Sequence, residues 1–220
     1  MATVEPRPPV QPGERAPDFT LPTVPEEGFV SLADYRGKSP VLLAMFRGIY
    51  CPFCRRNMAQ LALTTGAKLQ AEGVETLGII GSSLEHARRY FRYHPIRLPL
   101  AADPEVVTHR AYGLPKPPRT PERIQLLQSV RINPTGELSE PLPLFEASDA
   151  LDRLEGFVPT EADRADKQRV NPQLIGLFLV DRNGVVRWTY IEGGAKHDVA
   201  GMGKFATGEE LLAAAQALGT

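Results

Sequence analysis

Residues 41–60 read VLLAMFRGIYCPFCRRNMAQ, and the order of features in this stretch decides the fold. The apolar run Val41–Phe46 has the length and composition of a buried strand. From Pro52 to about Gln70 the pattern turns helical: Cys54, Met58, Leu61, Thr65 and Leu69 recur at steps of three and four and form one stripe. Arg55, Arg56, Gln60 and Lys68 fall off it. Proline suits the first helical position, because the donor it lacks would have no partner there. Cys51 is therefore expected at the N-cap and Cys54 in the first turn. The unpaired N–H groups and the positive end of the helix dipole favour a thiolate at this place. Arg47, Arg55 and Arg56 are positioned to add positive charge, depending on where their side chains point. Such surroundings bring a thiol pKa from about 8.5 down to roughly 3.5–7.5.

Working outward, Gly73 ends the helix and VETLGII (74–80) reads as a second buried strand. SLEHARRYFRYH (83–94) is helical with Ser82 or Ser83 as N-cap, followed by a short strand in LPLAADP and a helix in PEVVTHRAYG. LIGLFLV (174–180) and VVRWTYI (185–191) are strands joined by DRNG, a turn that makes them antiparallel neighbours. TGEELLAAAQAL (207–218) closes the chain as a helix, with Thr207 and Glu210 spaced for a capping box. Residues 1–27, rich in proline and charge, read as a loosely held arm with one short strand. The alternation predicts an α/β fold, a mixed central sheet flanked by helices. Residues 114–172 interrupt the rhythm with LPKPPRTP, INPTGELSEPLPLF and a helix in ASDALDRLEGF. A stretch this long is a lid, an interface or a disordered excursion. The 220 residues thus suit a single domain, 1–220, with 114–172 as an insertion within it.

Composition narrows the function. A formal net charge of −1 provides no electrostatic attraction to nucleic acid or to an anionic membrane. No apolar run approaches the roughly 20 residues of a membrane span, and the N-terminus has no secretory apolar core. A cytoplasmic location is the expectation.

Cys51 and Cys54 are the chain's only cysteines, and three readings compete for them. A structural disulfide is disfavoured in a reducing compartment, and so short a loop removes little unfolded-state entropy. Structural zinc needs four ligands, but no histidine pair has the short spacing of a zinc finger. His86 and His94 lie eight apart, His109 is in a separate helix, and His197 sits in a glycine-rich loop. A redox pair is left as the favoured reading, with Cys51 the easier to reach and Cys54 the more buried.

Three further segments carry a resemblance. GERAPDFTLPT with SLADYRGKSPVLLAMF, LPLAADPEVVTHRAYGLP, and GLFLVDRNGVVRW resemble the peroxiredoxin-like (AhpC/TSA) branch of the thioredoxin-fold superfamily. Together they span most of residues 13–113 and 173–218. The resemblance implies a thioredoxin-like fold. Laid on the family's P-x-x-x-T-x-x-C motif, the peroxide-attacking cysteine is Cys54, the threonine position holds Cys51 and the proline position holds Arg47. The family's active-site arginine falls on Ile175, where thioredoxin-type proteins would instead place a cis-proline. Arg47 is the candidate to replace the missing guanidinium.

Three functions follow. The first is a peroxiredoxin-like antioxidant in which Cys54 attacks peroxide and Cys51 resolves the sulfenic acid, an external thiol reductant clearing the disulfide. The second is a thioredoxin-type thiol–disulfide oxidoreductase acting on protein disulfides, with Cys51 as nucleophile. The third is a non-enzymatic interaction module. Neither enzyme needs an organic cofactor or a metal, since sulfur carries the electrons. Oligomeric state is left open, with the insertion as a candidate homodimer surface.

Overall fold

The computed structural model describes residues 7–194 and 198–219, so His197 lies outside the described residues. Strand β3 (Val41–Phe46) is buried along its whole length and forms the middle of a five-stranded sheet. Its period-two alternation serves two cores. Leu42, Ala44 and Phe46 face one layer, and Val41, Leu43 and Met45 face the other. Burying a side chain of this size stabilises by about 1.5–3 kcal/mol, so the strand is held from both faces.

Beside it run β4 (Glu75–Ile80) and β5 (Leu100–Ala102), both parallel, on one side. On the other side lie β8 (Gly176–Val180) and β9 (Val186–Ile191), successively antiparallel, giving the order β5-β4-β3-β8-β9. β8 runs against β3, so it starts where β3 ends; β9 reverses again and ends there too. The residues after Phe46, before Gly176 and after Ile191 therefore meet at one end of the sheet.

Helix α1 (Pro52–Gln60) continues through a π turn at Leu61–Thr65 into α2 (Gly66–Ala71). All five residues of the expected stripe, from Cys54 to Leu69, are buried. Gly73, in the left-handed region at φ +75°, closes the run as expected. α3 (Leu84–Tyr93) is capped by the Ser83 side chain, and α8 (Gly208–Gln216) has the Thr207–Glu210 capping box.

The N-terminal arm departs from expectation. It holds β1 (Thr20–Pro22), which pairs with β2 (Phe29–Ser31), and it lies down on the second core face. Val10, Phe19 and Leu21 are buried there, and the Val10 amide donates to the Tyr112 carbonyl beyond α4 (Val107–Ala111). Gly113 (φ +71°) has no room for a Cβ, because the Pro8 backbone passes against it. Apolar anchors spaced among prolines supply the burial that a charge-and-proline count hides.

Residues 114–172 are also more ordered than their composition suggests. They form α5 (Pro121–Ser129), a short antiparallel ribbon of β6 (Arg131–Ile132) and β7 (Leu142–Pro143), α6 (Leu144–Glu155) and α7 (Glu161–Val170). α5 and α7 were not expected. Their apolar faces are thin, and α5 buries no residue at all. Ile132, Ala147, Leu151 and Val170 join the first core layer, and polar contacts add to that anchorage. Arg55 pairs with Asp152 and Glu155 and stacks its guanidinium 3.7 Å from the Phe157 ring centroid. Arg56 reaches Glu137 and Glu155, His86 bonds Asp166 at 2.8 Å, and Arg169 donates to the Gly81 and Pro104 carbonyls. Among the described residues no helix is long and apolar enough to cross a membrane.

Candidate active site

The turn from β3 into α1 places the cysteines. Ile49 donates its amide to the buried Ser82 hydroxyl at 3.0 Å, and Arg55 donates to the Ile49 carbonyl. Tyr50 donates its hydroxyl to Asn171 at 3.1 Å. Cys51 follows in extended conformation as the N-cap, with Pro52 at the first helical position, as expected. Its sulfur accepts the Cys54 amide at 3.3 Å. Both thiols are free, with Cys51 5% and Cys54 0% exposed.

Arg47 is the cation that reaches them. Its Nη1 points at the Cys51 sulfur from 3.9 Å, while Nη2 donates to both carboxylate oxygens of Glu192 at 2.7 Å. Glu192 is fully buried and also accepts the amides of Gly203, at 2.7 Å, and Ile175. Arg55 and Arg56, by contrast, turn away to the insertion and leave the sulfurs to Arg47. Ile175, fully buried, supplies no guanidinium, and Arg47 is the one whose Nη1 faces the Cys51 sulfur. A cis peptide bond joins Asn171 to Pro172, which lines the cavity beside Cys51.

The two sulfurs differ sharply. Burial alone would push both thiols up. At Cys51 the hydrogen bonds from the Cys54 thiol and amide, together with the Arg47 charge, outweigh burial and draw the pKa down to about 7. At Cys54, burial and donation to an adjacent thiolate act together, and the thiol is held well above its usual range. Of the two, Cys51 is the sulfur whose surroundings favour the thiolate. In the motif alignment Cys51 occupies a threonine position, but the helix cap, the amide donor and the guanidinium all converge on its sulfur.

Cys51 also lines a cavity of about 350 Å³, which Cys54 does not. Arg47, Tyr50, Phe53, Leu174 and Met202 line it together with Leu127 and Leu144 of residues 114–172. Residues of the 114–172 segment therefore lie beside the cysteine end of the sheet. Among the described residues no group of three or more His, Cys, Asp or Glu side chains could hold a metal ion.

Sequence reasoning missed Glu192, Tyr50 and Asn171. Glu192 leaves one trace, an acidic residue directly after the apolar strand VVRWTYI, but nothing local says that it turns inward.

This is the thioredoxin fold with a dithiol at a strand–helix junction, and solved structures share it. Peroxidoxin BcpB from Mycobacterium tuberculosis superimposes with a TM-score of 0.57 at 12% identity, covering 95% of this chain and 98% of that one. The reduced 2-Cys peroxiredoxin of Plasmodium vivax gives 0.60 at 16% identity, covering 96% and 83%. The mitochondrial 2-Cys peroxiredoxin of Plasmodium falciparum gives 0.55 at 15% identity, covering 94% of each chain. A search of the curated proteins finds no match. The model of the AhpC/TSA family matches residues 12–140, more than half the chain, and the protein belongs to that family. It is an oxidoreductase with a thiol-dependent redox role.

Proposed function

We propose that the protein reduces small-molecule hydroperoxides, with Cys51 as the attacking thiolate, Cys54 as the resolving thiol and Arg47 as the donor to the reacting oxygens. The observation that carries this reading is the asymmetry of the pair: Cys51 alone lines the cavity, and it alone is drawn down toward neutral pH. In the proposed cycle the Cys51 sulfur bonds the terminal peroxide oxygen and the O–O bond breaks. An alkoxide leaves and takes up a proton, and Cys51 becomes a sulfenic acid. The Cys54 thiol then displaces water to form the 51–54 disulfide. An external thiol reductant restores both thiols by exchange, itself becoming a disulfide. A reducing compartment such as the cytoplasm suits that last step.

Thiol–disulfide exchange is the second reading, favoured by the same choice of Cys51 as nucleophile. Its weakness is access. Cys51 is only 5% exposed beneath the insertion, which suits a small molecule better than a protein disulfide. A non-enzymatic interaction module has least support, given the family and the tuned thiol. Under this proposal residues 114–172 act as a lid within one domain. Exposed Leu126 and Leu154 make the same segment the candidate homodimer surface, which analytical ultracentrifugation tests.

The deciding experiment compares hydroperoxide consumption with insulin disulfide reduction by one preparation of the protein and its Cys51→Ser variant. Peroxide turnover that Cys51→Ser abolishes supports the proposal. Insulin reduction without peroxide turnover replaces it with the exchange reading.

A further inference from the structure

Helix α7 meets the first turn of α3 at one buried imidazole. Each ring nitrogen of His86 faces a carboxylate: Nδ1 lies 2.8 Å from Asp166 Oδ2, and Nε2 lies 3.3 Å from Asp163 Oδ1. Both aspartates are buried as well. Asp163 Oδ2 is taken by the capping box of α7, accepting from the Thr160 amide and hydroxyl, while Oδ1 has no other partner among the described residues. Asp166 Oδ1 accepts from Arg169 at 2.7 Å and from the Ser83 amide at 3.4 Å.

A neutral imidazole donates from one nitrogen only, so its other nitrogen would turn a lone pair toward a carboxylate; an imidazolium donates from both. Charge gives the same answer. Two buried carboxylates share one arginine, Arg169, which also has Glu105 at 4.0 Å, and a second cation completes the cluster. The other charged groups nearby are engaged elsewhere. On α3 Glu85 and Arg89 pair with each other in solvent, and Tyr90 keeps its proton, its pKa pushed up to about 12 by burial. Arg55 of α1 is held by Asp152 and Glu155. What this contact holds lies beside the reactive sulfur. α7 carries Lys167, and Asn171 and Pro172 follow it; all three line the cavity with Cys51. Asn171 accepts the Tyr50 hydroxyl, and the Ser82 hydroxyl before α3 accepts the Ile49 amide.

We propose that His86 is a positioning residue that acts as a pH-sensitive latch: as an imidazolium it binds Asp163 and Asp166 with its two N–H groups and holds α7, with Lys167 and Asn171, beside Cys51. Histidine ordinarily changes charge between about pH 5 and 8. Loss of the ring proton removes one donor and one positive charge, leaving two buried carboxylates on a single arginine. The hold on α7 is therefore present at low pH and lost as pH rises. The Cys51 thiolate forms around pH 7, so access to the sulfur and its reactivity rise together. That regulation rests on the reading of Cys51 as the reactive thiolate; the latch itself does not.

Two measurements test it. Amide exchange of residues 161–171, corrected for the intrinsic pH dependence of exchange, is followed by mass spectrometry at about pH 6 and about pH 8.5. Protection in the wild type is expected to fall about tenfold across that interval, the size of effect that one charge-assisted hydrogen bond carries, and to be low at both values in His86→Gln. Access is read as the rate of Cys51 alkylation by a bulky fluorescein maleimide divided by the rate with iodoacetamide. Both reagents need the same thiolate, so its titration cancels from the ratio. The ratio should rise with pH in the wild type and stay high in His86→Gln. Should that variant fail to fold, the imidazole nitrogen shifts of the wild type decide, and protons on both ring nitrogens at about pH 6 support the latch. Protection and ratio that do not change with pH, a pH dependence that survives His86→Gln, or a single protonated ring nitrogen at the lower pH each overturns it. If no hydroperoxide is consumed while both measures change as expected, the peroxidase reading fails and the latch stands.

Discussion

Arg47 donates from Nη2 to both carboxylate oxygens of Glu192, 145 residues away in the chain, at 2.7 Å each. Taking two ions out of water is costly, and such a pair persists only where the remaining hydrogen-bonding capacity is met. Here the Gly203 and Ile175 amides meet it on the carboxylate side, and the Cys51 sulfur faces Nη1 on the other. The guanidinium is held between a carboxylate and a thiolate. Burial would lower its pKa, but Glu192 and the two cysteines keep it charged.

That arrangement sets a sign for two substitutions. Glu192 raises the Cys51 pKa and Arg47 lowers it. Glu192→Gln should therefore move the pKa down and Arg47→Gln should move it up, both read from the pH dependence of Cys51 alkylation by iodoacetamide. Glu192→Gln should also cost roughly 3–5 kcal/mol of stability in urea unfolding, because it leaves a buried cation without its partner. Arg47→Gln should slow peroxide reduction by about 10²-fold, the loss typical of a donor to developing oxygen charge.

The identity of the attacking sulfur is open to chemical trapping. In Cys54→Ser, peroxide should leave a stable sulfenic acid that dimedone labels at Cys51, located by mass spectrometry. Cys51→Ser should show no label at Cys54, whose burial keeps the thiol protonated. Label confined to Cys54 in the wild type would reverse the assignment.

The pH profile follows from the same asymmetry. The Cys51 pKa is depressed to about 7, so the reactive thiolate is present above that pH and is lost as pH falls through it. Peroxide reduction should rise with a midpoint near 7 and level off above it. A midpoint near the ordinary thiol value of about 8.5 would mean that Arg47 and the Cys54 donors do not act on this sulfur.

The lid should depend on Arg55. Arg55→Ala removes a 4%-exposed guanidinium that ties α1 to Asp152, Glu155 and Phe157 of the insertion. A stability loss on the order of 3 kcal/mol is expected, together with faster amide exchange in residues 144–157 and little change in the β3–β4 core. Hydrogen-exchange mass spectrometry distinguishes this from uniform destabilisation.

Where apolar periodicity and caps carry the information, reading ahead from the residues worked. The five-residue stripe from Cys54 to Leu69, the Cys51–Pro52 helix start, the Thr207–Glu210 box and the hairpin around DRNG all appear in the fold. These are local effects, each decided within a few turns of chain. α5 and α7 escaped notice for the complementary reason: α5 buries nothing, and α7 is tied down by Asp166 and Arg169 more than by apolar contact.

Two cysteines at a helix start made thiol chemistry legible from residue order, because a helix dipole and unpaired amides act on whatever side chain stands at the cap. Which cysteine becomes the thiolate was not legible there. That choice depends on the Arg47 side chain, on Glu192 arriving from the far end of β9 and on a cavity lined in part by residues of the 114–172 segment. Electrostatic forces between buried groups follow distance in space, and antiparallel β8 and β9 bring together groups that the chain holds far apart.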